Sequence, residues 1–477
     1  RRFKALIISA SPMQPISAES MFPSMPKGSA ALRHYISKLD VGEALEACAF
    51  LNCLMSASSL SNERKQIAAI KMLCSRQDSD RLLRIAARYR LPRSGGVWDW
   101  VCVFYREQIL ELIRWLILFG NPNKTGSLEL AHSRDILFRC LLLAGDLWNQ
   151  RVYKVTNYRA PRDDESRLRG LVELRTAMMY AKPAFDPAGL IVRGWNLTYK
   201  NLLLREPALL SEIVSVFGMP LEDYFAIGMH LIRDCDALIG AEAARIDMRS
   251  YRPSIDSLHE HVARFFEMES ATIEDIRKRM LDGRSVGDIN DSEPLSLRAL
   301  RDSPILILDS GSAVVPDLFL LAEKLMNGPI FSLAKKRGNI MAAFGTAFEC
   351  FLIQVLDSIK IWHNRRNEQL DLFAQPKAFD DRRREVEICD AAIHIKETRE
   401  LFLLEAKAKW LRDDILWERD PEMYIRQLRE KYGITEKETL GVGQLARSIR
   451  KLDSQKWQSR QIDLSAVETI YPILMVH

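Results

Sequence analysis

The residues best suited to chemistry lie near the C-terminus, where Asp390 in EVEICDAAIHI is followed fifteen residues later by Glu405 and then Lys407 in LFLLEAKAKW. Two carboxylates and an ammonium are the groups that hold a hard divalent cation and offset charge building on a phosphoryl group. The apolar runs 386–395 and 401–406 are separated by Lys396-Glu397-Thr398-Arg399-Glu400, a pattern that predicts two antiparallel strands joined by a short turn. With the turn centred near Glu397 and Thr398, Glu405 stands opposite Asp390. Side chains alternate with period two, so Lys407 falls on the side of Glu405 while Leu404 and Ala406 point away. Mg²⁺ or Mn²⁺ bound by one or two carboxylates keeps several waters and leaves room for a phosphate oxygen. Lys407 would orient the attacking water and balance charge at the phosphorus, a role suited to a compact ammonium.

The elements that must position these groups are legible on either side. Upstream, NIMAAFGTAFECFLIQVLDSI predicts an amphipathic helix with Phe344, Phe348, Phe351, Leu352 and Val355 as its apolar stripe. Glu349 sits at the edge of that stripe, and Gly345 lies one turn earlier. Downstream, GVGQLARSIRKL and ETIYPILMVH predict a helix and then an apolar strand.

In this order the segments resemble the PD-(D/E)xK nuclease superfamily, the restriction-endonuclease-like fold, over roughly residues 335 to 477. The resemblance implies an αββαβ core and a Mg²⁺- or Mn²⁺-dependent phosphodiester hydrolase with Asp390, Glu405 and Lys407 at its centre. It also implies that Glu349 brings a third acidic group to the metal, and that Gln444 occupies the place of a glutamine facing the site. Cys389 stands where the family's motif has proline, and the chain stops at His477 directly after the last predicted strand. The blander readings remain open: a Glu-x-Lys triplet also fits a solvated strand face, and Glu349 and Gln444 fit an ordinary helix surface. Asp390 within an apolar run is harder to explain without a partner, because an unpaired buried carboxylate is costly.

Composition frames the site. The 477 residues suffice for two to three domains, and 47% hydrophobic with 27% charged residues describes an ordinary globular chain. Eight cysteines without a CxxC pair fit reduced, buried thiols of an intracellular protein. No signal-peptide pattern opens the sequence, and charges interrupt apolar stretches such as FRCLLLAGDLW too soon to span a bilayer, so a cytoplasmic protein without a membrane partner is expected. A net charge of +5 is too mild to announce nucleic-acid binding. Its placement says more: Arg365 and Arg366 follow the Glu349 helix, and Arg382, Arg383 and Arg384 lead into the Asp390 strand. They could hold a phosphate backbone, or serve as solvated loop.

Before residue 300 the apolar residues recur at three and four, which predicts a large α-helical domain over residues 1–295. The polar run DGRSVGDINDSEP marks its end, and PILILDSGSAVVPDLF predicts a β-hairpin turning at Asp309-Ser310-Gly311 that leads the nuclease-like domain, residues 296–477. Other features carry no site. GNPNKTGS lacks the glycine a Walker A loop needs before Lys124, and His259-Glu260-His261 has the wrong spacing for two ligands on one helix face. Arg81, Arg84 and Arg88 read as a solvated face, and Trp98 and Trp100 as core aromatics.

The expectation is therefore an α+β multidomain protein whose C-terminal domain is a metal-dependent nuclease, most naturally an endonuclease on DNA. The resemblance implies a prokaryotic defence or mobile-element setting, with cleavage gated by homo-oligomerisation, an activator or a partner ATPase. The competing readings are a catalytically silent nucleic-acid-binding or scaffold module and an RNA-processing nuclease.

Overall fold

The computed structural model describes residues 14–57, 60–88, 101–121, 130–156, 187–237, 245–289, 297–309, 311–334, 340–364, 370–380, 382–409, 421–433, 440–454, 457–459 and 461–476. Mixed α/β and largely helical, the chain divides into two compact units: residues 1–191 with 217–325, and residues 192–216 with 326–477.

The first unit is built on helices such as Val41–Ser56, Arg106–Phe119 and Leu130–Thr156. Helix Arg106–Phe119 is buried along nearly its whole length, Leu110, Ile113, Trp115 and Leu116 being almost inaccessible. Its polar members therefore need internal partners: Trp115 Nε1 donates to Glu111 Oε1 at 2.7 Å. Gln66 acts likewise on the backbone between strand Val101–Cys102 and this helix, donating to Phe104 O and accepting from the Val103 and Phe104 N–H groups.

This unit is not wholly helical. The predicted hairpin forms, Ile305–Ile307 pairing antiparallel with Ser312–Val314, but its strands complete a four-stranded sheet with Ile246–Asp247 and Ser270–Thr272. It thus belongs to the first unit, and the division falls after Leu325 rather than near residue 295. Strands of two and three residues are too short to show period-two alternation, which is why this sheet does not stand out in the sequence. Ser310, Trp98, Trp100 and Lys124 lie outside the described residues. His261 Nε2 stands 3.3 Å from Asp223 and 3.4 Å from Glu260, a polar cluster on the helix surface.

In the second unit a four-stranded sheet runs Thr469–Val476, Glu400–Lys407, Ala391–Ile395, Leu370–Ala374 across its width. The outer C-terminal strand is parallel to its neighbour and the other pairings are antiparallel. Helix Ile340–Asn364 packs on the Leu370–Ala374 and Glu400–Lys407 strands, and helix Val442–Asp453 on Glu400–Lys407 and the C-terminal strand. A core of Ala392, Leu401, Leu403, Leu445, Leu452 and Ile462 closes over one sheet face. Strand Leu370–Ala374 is an element the sequence pattern did not predict.

Ile340–His363 is also, by length and composition, apolar enough to cross a membrane, with mean hydropathy 1.5, contrary to the expectation that charges interrupt the longest apolar stretches too soon. Burial accounts for part of that apolarity: Phe344, Phe348, Leu352 and Leu356 are buried and Phe351 is half-buried, whereas Val355 is 39% exposed and Ile359, Ile361 and Trp362 are exposed as well. The predicted stripe therefore holds except at Val355, whose place Leu356 takes because i, i+4 steps keep to one helix face. Around Gly345, one turn before Glu349, there is open space where a Cβ would stand. Gly345→Ala is expected to stabilise the protein by about 0.5–1 kcal/mol in thermal unfolding, since glycine is a poor helix former and no packing here demands it.

Candidate active site

Strand register builds the site. Ala391 pairs with Leu404 and Ile395 with Glu400, so one further step brings Asp390 opposite Glu405. Lys396–Arg399 make the turn, Arg399 adopting φ +56°. Asp390 Oδ2 accepts the Ala406 N–H at 2.5 Å, tying its carboxylate across the strand end. Glu405, 3% exposed, accepts from Lys407 Nζ at 2.6 Å. Both Asp390 and Glu405 are buried, as Ala392 and Leu403 beside them on the same face require.

Two further carboxyls enter the field of this pair. Glu349, on the helix above, is half-buried and its pKa is raised, by desolvation first and then by the charges of Asp390 and Glu387, with Lys407 opposing. Glu387, three residues before Asp390, escaped the sequence reading. Its pKa is raised, by burial first and then by the charge of Asp390 and a hydrogen bond to that carboxyl, with Lys407 opposing; the same bond lowers Asp390. The sequence signal was EVEICD itself: the strand stops at Glu387, and the chain bends before Asp390 instead of carrying the two carboxyls to opposite faces.

Burial pushes the Asp390 carboxyl up, offset by the Ala406 N–H and Lys407. Glu405 rises to about 7, again mainly through burial, with the Lys407 hydrogen bond opposing and the charges of Asp390 and Glu387 adding to the rise. Folding therefore raises the proton affinity of this group above its unfolded value. The native state binds more protons than the unfolded chain between about pH 4.5 and 7, and stability falls as pH rises through that window. Glu405→Gln is expected to flatten this fall; comparing unfolding midpoints of the two proteins at pH 5 and pH 8 measures it.

Four carboxyls against one lysine make a hard, oxygen-rich donor set with excess negative charge, the chemistry that suits Mg²⁺ or Mn²⁺. The side chains are not preassembled for it. Among the described residues no three His, Cys, Asp or Glu side chains form a finished metal-binding group. Asp390 is turned to the Ala406 N–H and Glu405 to Lys407 instead.

The remaining predicted residues divide. Gln444 caps its own helix, its Oε1 accepting the Gly441 N–H at 2.8 Å, where Gly441 has φ +42°. Arg384 is committed to Asp380 through Nε and Nη2 at 2.9 and 2.7 Å, within a turn that also holds the Arg382 and Arg384 N–H groups. Arg382 and Arg383 are exposed. Arg365 and Arg366 lie outside the described residues. Cys389, in the place of the motif's proline, is a core residue whose thiol donates to Ala391 O.

Comparison with protein-family models, with curated proteins and with solved structures finds no match to this chain.

Proposed function

We propose that the second unit is a divalent-cation-dependent phosphodiesterase of PD-(D/E)xK type, acting on nucleic acid and most naturally on DNA. The observation that carries the reading is the convergence of Asp390, Glu405 and Lys407 at one strand end, set by the Ala391–Leu404 register. The order of helix, strands, helix and parallel strand supports it as well, matching an αββαβ core with Leu370–Ala374 added at the sheet edge.

Asp390, Glu405 and Glu349 would hold Mg²⁺ or Mn²⁺, which supplies Lewis-acid polarisation of the phosphoryl group and acidifies water. Lys407 now neutralises Glu405. With Glu405 engaged as a ligand, the Lys407 ammonium would donate to the water or to a phosphate oxygen and offset the charge that builds as the P–O bond breaks. Glu387 adds a fourth carboxyl beside Asp390, its charged form disfavoured by burial and by the Asp390 charge. Arg382 and Arg383, exposed on the turn before Glu387, would add sequence-independent backbone contacts. A cytoplasmic setting in a defence or mobile-element system, with cutting gated by a partner ATPase, an activator or self-association, belongs to the same proposal.

One observation favours a second reading, a silent nucleic-acid-binding module: Asp390 and Glu405 are each satisfied by an internal hydrogen bond. Incubating plasmid, linear duplex, single-stranded DNA and RNA with Mg²⁺ or Mn²⁺ separates the readings. Metal-dependent cutting by the wild type that is lost in Glu405→Ala is the expected result, and preference for RNA would reassign the substrate. Binding of these polymers without metal uptake by the protein would support the silent module.

A further inference from the structure

Residues 192–216 are remote in sequence from the C-terminal unit yet belong to it, and they contain a nine-residue π-helix, Trp195–Leu203, packed against the helix that carries Glu349. A π-helix this long is uncommon, and such i→i+5 turns persist where neighbouring structure holds them. Leu204 N–H bonds to Tyr199 O at 3.0 Å in that spacing, and Trp195 stacks on Tyr199 with ring centroids 4.1 Å apart. Gly194, leading in, lies so close to Met326 that a Cβ would stand 2.7 Å from its Cα.

Asn201 is the hub. It is 2% exposed, and its Nδ2 donates to Asn196 O at 2.8 Å, closing the π turn on itself. The same amide exchanges two hydrogen bonds with Gln354 on the Glu349 helix: Asn201 Nδ2 donates to Gln354 Oε1 at 3.1 Å, and Gln354 Nε2 donates to Asn201 Oδ1 at 2.9 Å. A second tie, Arg205 Nη1 to Cys350 Sγ at 2.9 Å, falls on the residue next to Glu349. Apolar packing of the buried Phe344, Phe348 and Leu352 holds the helix but tolerates small rotations and slides. The Asn201 amide does not, because it is buried and a shift of the helix that parts it from Gln354 takes away the donor to its Oδ1.

We infer that Asn201 is a positioning residue for the cation site: through Gln354 it fixes the rotation of helix Ile340–Asn364 and so the place of Glu349 beside Asp390. This rests on the proposed nuclease reading. Gln354 follows Glu349 by five residues, about 7.5 Å along the axis, so a few degrees of rotation or a slide of about 1 Å at the amide pair is passed directly to the Glu349 carboxyl. Losses of 10- to 100-fold are usual when a group that orients a metal ligand is removed.

The test is a pair of cycles. Asn201→Ala, and separately Gln354→Ala at the more exposed partner in case the first fails to fold, are each made in the wild-type and Glu349→Gln backgrounds. Mn²⁺ affinity by calorimetry and cleavage kinetics are measured for all. Each change is expected to weaken Mn²⁺ binding and lower kcat by about 10-fold or more in the wild-type background with KM for DNA within about twofold, and to cost less than about twofold once Glu349 is glutamine. Equal losses in both backgrounds, or none in the wild type, overturn the inference. A wild type that neither binds Mn²⁺ nor cuts overturns the nuclease reading itself and removes the inference with it.

Discussion

Lys407→Ala is expected to lower metal-dependent cleavage by about 10²–10³-fold, the usual cost of removing one preorganised donor to developing charge. Lys407 supplies the ammonium that contacts Glu405, at 2.6 Å, and it opposes the raised pKa of Glu349, Glu387, Asp390 and Glu405 alike. Its loss has a second consequence. Glu405, already at about 7, holds its proton more tightly without that partner, and a protonated carboxyl does not bind a cation. The acidic limb of the pH–rate profile should therefore move to higher pH, and excess Mn²⁺ at pH 8.5 should recover more of the loss than at pH 6.5. Lys407→Arg keeps the charge but replaces a compact ammonium with a planar fork, so it should restore the position of the limb better than the rate. A rate lowered equally at every pH, with no rescue by Mn²⁺, would mean that Lys407 acts on the phosphate alone.

The largest effect on stability is expected in the first unit, from Asp317→Ala. Asp317 is fully buried and receives Arg106 through Nε at 2.6 Å and Nη2 at 2.9 Å, while its Oδ1 also accepts the Leu320 N–H at 3.0 Å. One carboxylate thus neutralises a guanidinium and caps the start of helix Leu318–Ala334. Removing it leaves the Arg106 charge buried without its carboxylate, and breaking such a pair on one side costs about 3–5 kcal/mol. Asp317→Asn, which keeps the cap, should cost less. Replacing both partners by leucine should cost less than Asp317→Ala, because no buried charge remains. Urea unfolding of the three variants measures this, and a loss below about 1 kcal/mol for Asp317→Ala would show that Arg106 finds adequate compensation elsewhere.

Where short-range pattern governs structure, the sequence was informative. The polar gap 396–400 between two apolar runs set the register that puts Asp390 opposite Glu405, and period two placed Lys407 with them. The Glu349 helix, the Gln444 helix and the C-terminal strand were legible for the same reason. What escaped depends on distant parts of the chain. Strand Leu370–Ala374 is five residues broken by Asp371, and its pairing with Ala391–Ile395 makes it a strand. Residues 192–216 join the second unit through Asn201 and Gln354, whose meeting across about 150 positions no local period announces. Glu387 joined the cluster because the chain bends after a three-residue strand, and Gln444 Oε1 is engaged by the Gly441 N–H at the start of its own helix.

The most direct test of the central claim is Mn²⁺ binding to the whole protein, followed by electron paramagnetic resonance of the free ion, in the wild type and in Asp390→Asn. This measurement does not depend on an activator or on the right substrate. Saturable Mn²⁺ uptake by the wild type is expected, strengthening from pH 6 to pH 8 as Glu405 loses its proton and weakened at least about tenfold by Asp390→Asn. Uptake that is absent, or that is unchanged by Asp390→Asn, would contradict the claim.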